Sequence, residues 1–219
     1  IWNDIAPEYL DEMYNLSPFY RRLVHNILLI RLITRKELPR AFLEERALHL
    51  ASGPDMDERS WRLFDLLLEK LNITRPPGVS LDRAFNMLRV SQEKDQEEGI
   101  PAERQPERVQ ADLLQLPFAN KSFKRVEQGS LHLIPLTLRP QAIREANRVL
   151  EPNGVLSLLT NHLSKAFIQS MKAMGFELIE QFPSDLTQDE VNSLKAFLGD
   201  EATKRLTSKS KGNGVIAFF

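Results

Sequence analysis

Cysteine is absent from the 219 residues. Its absence excludes a disulfide framework and thiolate metal sites, and makes a reducing compartment, the cytoplasm or another, the expected location. An excess of either charge is missing too: 29 Lys and Arg stand against 30 Asp and Glu. No overall field draws the chain to nucleic acid or to a membrane surface. Long apolar runs are lacking. The most apolar helix-like stretch, Phe19 to about Ile33, is interrupted by Arg21, Arg22 and Arg31, and falls well short of the roughly 20 residues of a membrane span. Nor is there the G-x-G-x-x-G fingerprint of a nicotinamide dinucleotide site. The chain begins at Ile1 rather than Met, so the natural start is expected upstream, with any targeting segment out of view.

What is present is a hydrophobic fraction of 42%, enough for one sizeable core. The most telling stretch is residues 108–159. A short apolar strand, Arg108 to Ala111, ends on Asp112 and a Leu116-Pro117-Phe118 turn. A helix, Gln141 to Leu150, then puts Ala142, Ile143, Ala146, Val149 and Leu150 at helical spacing. It stops at Pro152-Asn153-Gly154, where Asn or Gly can take the left-handed backbone. Val155 to Leu159 reads as a strand buried on both faces. Together these pieces make a βαβ unit.

Other elements follow from the same signals. Ser17-Pro18 opens the helix Phe19 to about Ile33, which carries Leu23, Val24, Ile27, Leu28 and Ile30 and forms either a lid over the domain or a membrane-surface or partner helix. The strand Ala47–Leu50 precedes a helix Glu58–Leu71 with Trp61, Phe64, Leu68 and Leu71 as its buried stripe. Lys165–Met174 is amphipathic and ends at Gly175. Thr187 and Glu190 form a capping box for a helix burying Val191, Leu194 and Leu198. Strands are expected at Ala47–Leu50, Val79–Leu81, Val109–Ala111, Val126–Gln128, Val155–Leu159, Phe176–Ile179 and Val215–Phe218, the last antiparallel.

The order of an acid, Leu-Pro-Phe, Ser-Phe, Leu-His and then Arg-Val-Leu-Glu-Pro-Asn-Gly resembles the second half of class I S-adenosylmethionine-dependent methyltransferases, the UbiE-like small-molecule branch in particular. The resemblance reaches back, more weakly, to Ala47. It implies a Rossmann-like, doubly wound α/β fold with a mostly parallel seven-stranded sheet and an antiparallel C-terminal edge. Residues 1–44 would be a helical extension or lid, and 45–219 the methyltransferase-like domain.

The resemblance also assigns candidate site residues. Ala47 to Asp55, ALHLASGPD, stands where the family has its acid-x-Gly-x-Gly-x-Gly loop around the cofactor. His49 replaces the first acid, Ala51 the first glycine and Asp55 the third, while Gly53 is retained. A turn with negative φ would accept the Ala51 methyl at modest cost. A protonated His49 would repel the cofactor's ammonium; its other reading is a buried strand histidine with a satisfied hydrogen bond. Asp82 would hold the ribose hydroxyls, or act as a helix N-cap. Asp112 would accept from the adenine amino group and the Leu113 N–H would donate to the ring, unless Asp112 is another cap. Gln128 stands where the backbone contacts the methionine portion. Lys124 exchanges the usual acid of Ser-Phe-Asp for a base. Ser130 and His132 are the polar groups able to face a substrate, and His132 is the candidate general base where the acceptor carries a proton, or else a structural histidine at the sheet edge. No metal site is expected.

Two functions follow. One is methyl transfer from S-adenosylmethionine to a small-molecule acceptor. The other is a non-catalytic methyltransferase-like scaffold for a protein or ribonucleoprotein partner, favoured by the losses at His49, Ala51, Asp55 and Lys124. The methyl acceptor is not encoded in any motif.

Overall fold

Short runs of wholly buried residues set the frame. Ala47–Leu50 (β1) is buried at every position, and Val79–Asp82 (β2) at all but its last. The computed structural model describes residues 40–53, 68, 72–74, 76–97, 99–129, 131–160, 163–183, 188, 192 and 215–219. Five more strands, Glu107–Gln110 (β3), Phe123–Gln128 (β4), Leu150–Thr160 (β5), Glu180–Pro183 (β6) and Val215–Phe218 (β7), complete a seven-stranded sheet in the order β3-β2-β1-β4-β5-β7-β6. Strands β1 to β5 run parallel, and β7 lies antiparallel between β5 and β6. The chain winds outward from β1 through β2 to β3, then returns to place β4 on the other side of β1. The carboxyl ends of β1 and β4 therefore flank the topological switch point, where open α/β sheets bind ligands.

Alternation of side chains gives the sheet two unlike faces. One is apolar: Leu48, Leu50, Val79, Leu81, Val126, Leu156 and Leu158 form one core with Ile143, Ala146 and Val149 of the helix Arg139–Val149 (α2) and Met171 of the helix Lys165–Ala173 (α3). The other carries a polar row across adjacent strands, in the register Arg108, Ser80, His49, Glu127, Ser157. Helix Phe85–Glu97 (α1) meets the β3 end of this row, where Arg108 pairs with Asp95 and donates to Ser91 Oγ at 3.1 Å.

Several expected boundaries are corrected: β4 begins at Phe123 rather than Val126, and the helix expected at Gln141–Leu150 spans Arg139–Val149, with Leu150 opening β5. Strand β3 ends at Gln110 rather than Ala111 and begins two residues before the expected Val109. The turn expected before β5 is embedded in the strand: Phe123 pairs with Leu150 and Arg125 with Val155, so the extra residues bulge out around Asn153 at φ +64°. Gly154 is required there, because a Cβ would lie 2.9 Å from Glu151 O and 3.1 Å from Lys124 O. The strand expected at Phe176–Ile179 lies instead at Glu180–Pro183. Phe176 serves the end of α3: Gly175 takes φ +91°, and Phe176 N–H donates to Met171 O at 3.1 Å in a Schellman closure.

Of residues 1–44 only the 3-10 turn Arg40–Glu44 is described, with Phe42 and Leu43 buried. The lid helix and the capping box at Thr187 lie outside the described residues, as does the helix Glu58–Leu71 except for Leu68, which is helical and buried. No helix among the described residues is long and apolar enough to cross a membrane.

Candidate functional site

At the switch point the carboxyl ends of β1, β2 and β3 surround a cavity of about 280 Å³, at the lower end of the range for small-molecule sites. Asp82, the last residue of β2, stands at its centre by hydrogen bonding: one carboxylate oxygen accepts from Gly53 N–H and the other from Ala84 N–H, each at 2.8 Å. It thus ties the loop after β1 to the start of α1. Asp112 follows β3. Its Oδ1 accepts from Leu114 N–H at 2.9 Å, and its Oδ2 lies 3.7 Å from the exposed Arg83 guanidinium.

The structure brings together five of the sequence-expected residues: Ala51, Gly53, Asp82, Asp112 and Leu113 all line this cavity. Gly53 has φ +66°, a left-handed turn that glycine takes without strain. Ala51 also has positive φ, +50°, so the expectation of a negative-φ turn is corrected. A Cβ in that region costs roughly 1–2 kcal/mol.

Two expected residues do not line the cavity. His49 is 6% exposed, with its ring packed against Gly78 and Nδ1 3.1 Å from Glu127 Oε2. Glu127 also approaches Arg125, Oε1 to Nε being 3.2 Å. A carboxylate therefore stands beside position 49, supplied by β4 rather than β1. Gln128 ends β4 with its side chain buried among apolar neighbours, and its amide makes no hydrogen bond among the described residues. His132 lies in the 3-10 turn Leu131–Leu133; its side chain, like all of Ser130, is outside the described residues.

Sequence reasoning missed several wall residues. Arg83 comes from the turn between β2 and α1, Met87 from the first turn of α1, and Leu133, Ile134, Pro135 and Leu138 from the loop after β4. The signal was present: LHLIPLTL is too apolar for an ordinary solvated loop. It also missed the role of Arg148, which bolts α2 to the loop after Asp112. Its guanidinium donates to Leu116 O, Phe118 O and Asn120 Oδ1 at 2.8–2.9 Å, and pairs with Glu145, whose Oε2 accepts from Leu116 N–H at 2.8 Å. The hydrogen bonds from Arg148 hold the Glu145 carboxyl below its ordinary value. Lys124, the base in place of the usual acid, pairs with Glu45, and that partner raises its pKa.

Comparisons agree with this architecture. Residues 71–158 match the family model described as a methyltransferase domain. None of the curated proteins matches. Among solved structures, magnesium protoporphyrin IX methyltransferase from Synechocystis, with bound SAM, is 13% identical, with a TM-score of 0.56 over 90% of this chain and 79% of its own. An S-adenosylmethionine-dependent methyltransferase from Mesorhizobium loti is 14% identical, TM-score 0.55, over 84% and 94%. The cyclase SpnF is 15% identical, TM-score 0.54, over 88% and 79%, a reminder that one fold hosts several chemistries. Residues 71–158 thus match the methyltransferase-domain family, and the described chain has the Rossmann-like fold of class I methyltransferases.

Proposed function

We propose that the chain binds S-adenosylmethionine in the switch-point cavity and transfers its methyl group to a small-molecule acceptor, as the UbiE-like resemblance implies. The observation that carries this reading is the pair of carboxylates, Asp82 and Asp112, at the ends of neighbouring strands on one largely apolar cavity. Their remaining acceptor capacity fits the cofactor. Each Asp82 oxygen takes one backbone N–H and keeps a lone pair for a ribose hydroxyl. Asp112 Oδ2 accepts no hydrogen bond among the described residues and suits the adenine amino group. Met87, Leu113 and Leu138 would pack against the base, and Gly53 would let the backbone approach the methionine portion.

When bound, the cofactor supplies an electrophilic methyl group. The chain's share is to hold it, to align the acceptor and to exclude water. Leu133 and Leu138, partly exposed at the cavity, would be covered by ligand. Where the acceptor carries a proton, His132 in the loop after β4 is the base we assign. No observation among the described residues favours the scaffold reading for itself.

Titration calorimetry with S-adenosylhomocysteine tests the proposal. The wild-type chain should bind, and Asp112→Ala should weaken binding by about 1–3 kcal/mol, the cost of losing one buried hydrogen-bond partner. Absence of binding by the wild type would sink the reading. Unchanged affinity in the variant would place adenine elsewhere.

A further inference from the structure

A second, larger cavity of about 620 Å³ lies between α2 and α3. It opens beside the carboxyl end of β5, where Thr160, buried to 6% exposure, and Ser164 line it. Its described walls are chemically uneven. Leu131, Leu136, Ile143, Phe167 and Met174 are apolar, whereas every charged lining side chain is an arginine, Arg139 or Arg144. No carboxylate lines it among the described residues. Arg139 is committed to the wall itself, donating from Nε to Ile134 O at 2.9 Å. Arg144 is exposed and has no ion-pair partner among the described residues. Leu136 is 74% exposed at the rim, a placement that costs apolar hydration unless something covers it.

The loop after β4 separates this cavity from the first. Leu131 and Leu136 line the α2–α3 cavity, while Leu133, Ile134, Pro135 and Leu138 line the switch-point cavity. One short segment is therefore a common wall. Apolar surface on several sides with cationic guanidinium at one edge and no opposing anion selects a particular ligand chemistry.

We propose that the α2–α3 cavity is a second small-molecule site for an amphipathic organic anion, whose acid group meets Arg144 and whose hydrocarbon body lies on Leu131, Leu136, Ile143 and Phe167. Its existence does not depend on the methyltransferase reading. If that reading holds, this is the acceptor's side of the shared wall.

The test uses two fluorescent probes of one ring system, anilinonaphthalene sulfonate and its sulfonate-free parent, phenylnaphthylamine. The wild-type chain should bind both. Arg144→Gln should weaken the sulfonate probe by about tenfold, the worth of one charge-assisted contact near 1.4 kcal/mol, and leave the neutral probe unchanged. Ser170→Trp, at an exposed position lining the cavity, should abolish binding of both while S-adenosylhomocysteine affinity is kept, which reports that the fold persists. Saturating S-adenosylhomocysteine should not displace either probe. The proposal is overturned if the wild type binds neither probe, if Arg144→Gln binds the sulfonate probe as the wild type does, or if S-adenosylhomocysteine competes with it. Arg144→Gln is a surface change and stays decisive should Ser170→Trp fail to fold.

Discussion

Ala51 is the residue at which local geometry and sequence disagree most. At φ +50° its methyl is strained, and glycine there would relieve roughly 1–2 kcal/mol while loosening the unfolded chain. Ala51→Gly should therefore raise stability by up to about 1 kcal/mol in urea unfolding. A loss of stability would mean that the turn is not left-handed in solution. His49 makes a second residue-scale case. A Cβ on Gly78 would come within 3.1 Å of His49 Nε2 and 3.0 Å of Ala47 O, so the large ring on β1 and the bare backbone on β2 are matched. Gly78→Ala should destabilise the wild type, and less so in a His49→Ala background. A double-mutant cycle should give a coupling of about 1 kcal/mol, and additive changes would show that the ring does not need the space.

At the scale of elements, α2 is tied to the cavity by its last turn. Arg148 reaches three groups of the loop after Asp112, and Glu145 a fourth. Arg148→Ala should cost roughly 2–3 kcal/mol, because it unpairs a carboxylate and several carbonyls at once, and should also weaken S-adenosylhomocysteine binding through Leu113 and Asp112. The lowered Glu145 pKa fixes the sign of a pH effect. The stability it contributes is complete above the ordinary value of 4.5 and is lost as the pH falls through the lower folded value. Unfolding midpoints followed below pH 4.5 should drop more steeply for the wild type than for Glu145→Gln. Equal slopes would refute the assignment.

The same elements show what could be read in advance. Strands β1, β2, β4 and β7 were legible because each is a short apolar or alternating run in a setting where burial decides. Strand β6 was misplaced because Phe176 is apolar for another reason: it closes α3 and packs edge-on against Phe219, with centroids 6.3 Å apart. The placement of Asp82 and Asp112 at the cavity was legible because Asp82 ends a strand and Asp112 stands in the turn just after one. Glu127, standing across from His49, was not. A strand sequence does not reveal which residue of a distant strand will lie in register with it.

For the molecule as a whole, the sheet order decides what each strand needs. Strand β6 has one partner, β7, and β7 also covers the outer side of β5. Phe219 extends this closure, exchanging both backbone hydrogen bonds with Leu156 at 2.8 and 2.9 Å. Removing residues 215–219 should therefore leave two unpaired edges, and the truncated chain should aggregate, as light scattering would report. A monodisperse, cooperatively folding truncation would contradict this. The order of synthesis makes the same point inside the cell. On the ribosome β5 and β6 both emerge before the strand that joins them, so the five parallel strands through β5 can assemble early while their outer edge waits for residues 215–219. Until then the nascent chain shows an open strand to its neighbours on the polysome, which makes this edge the place where chaperone binding during translation would matter most.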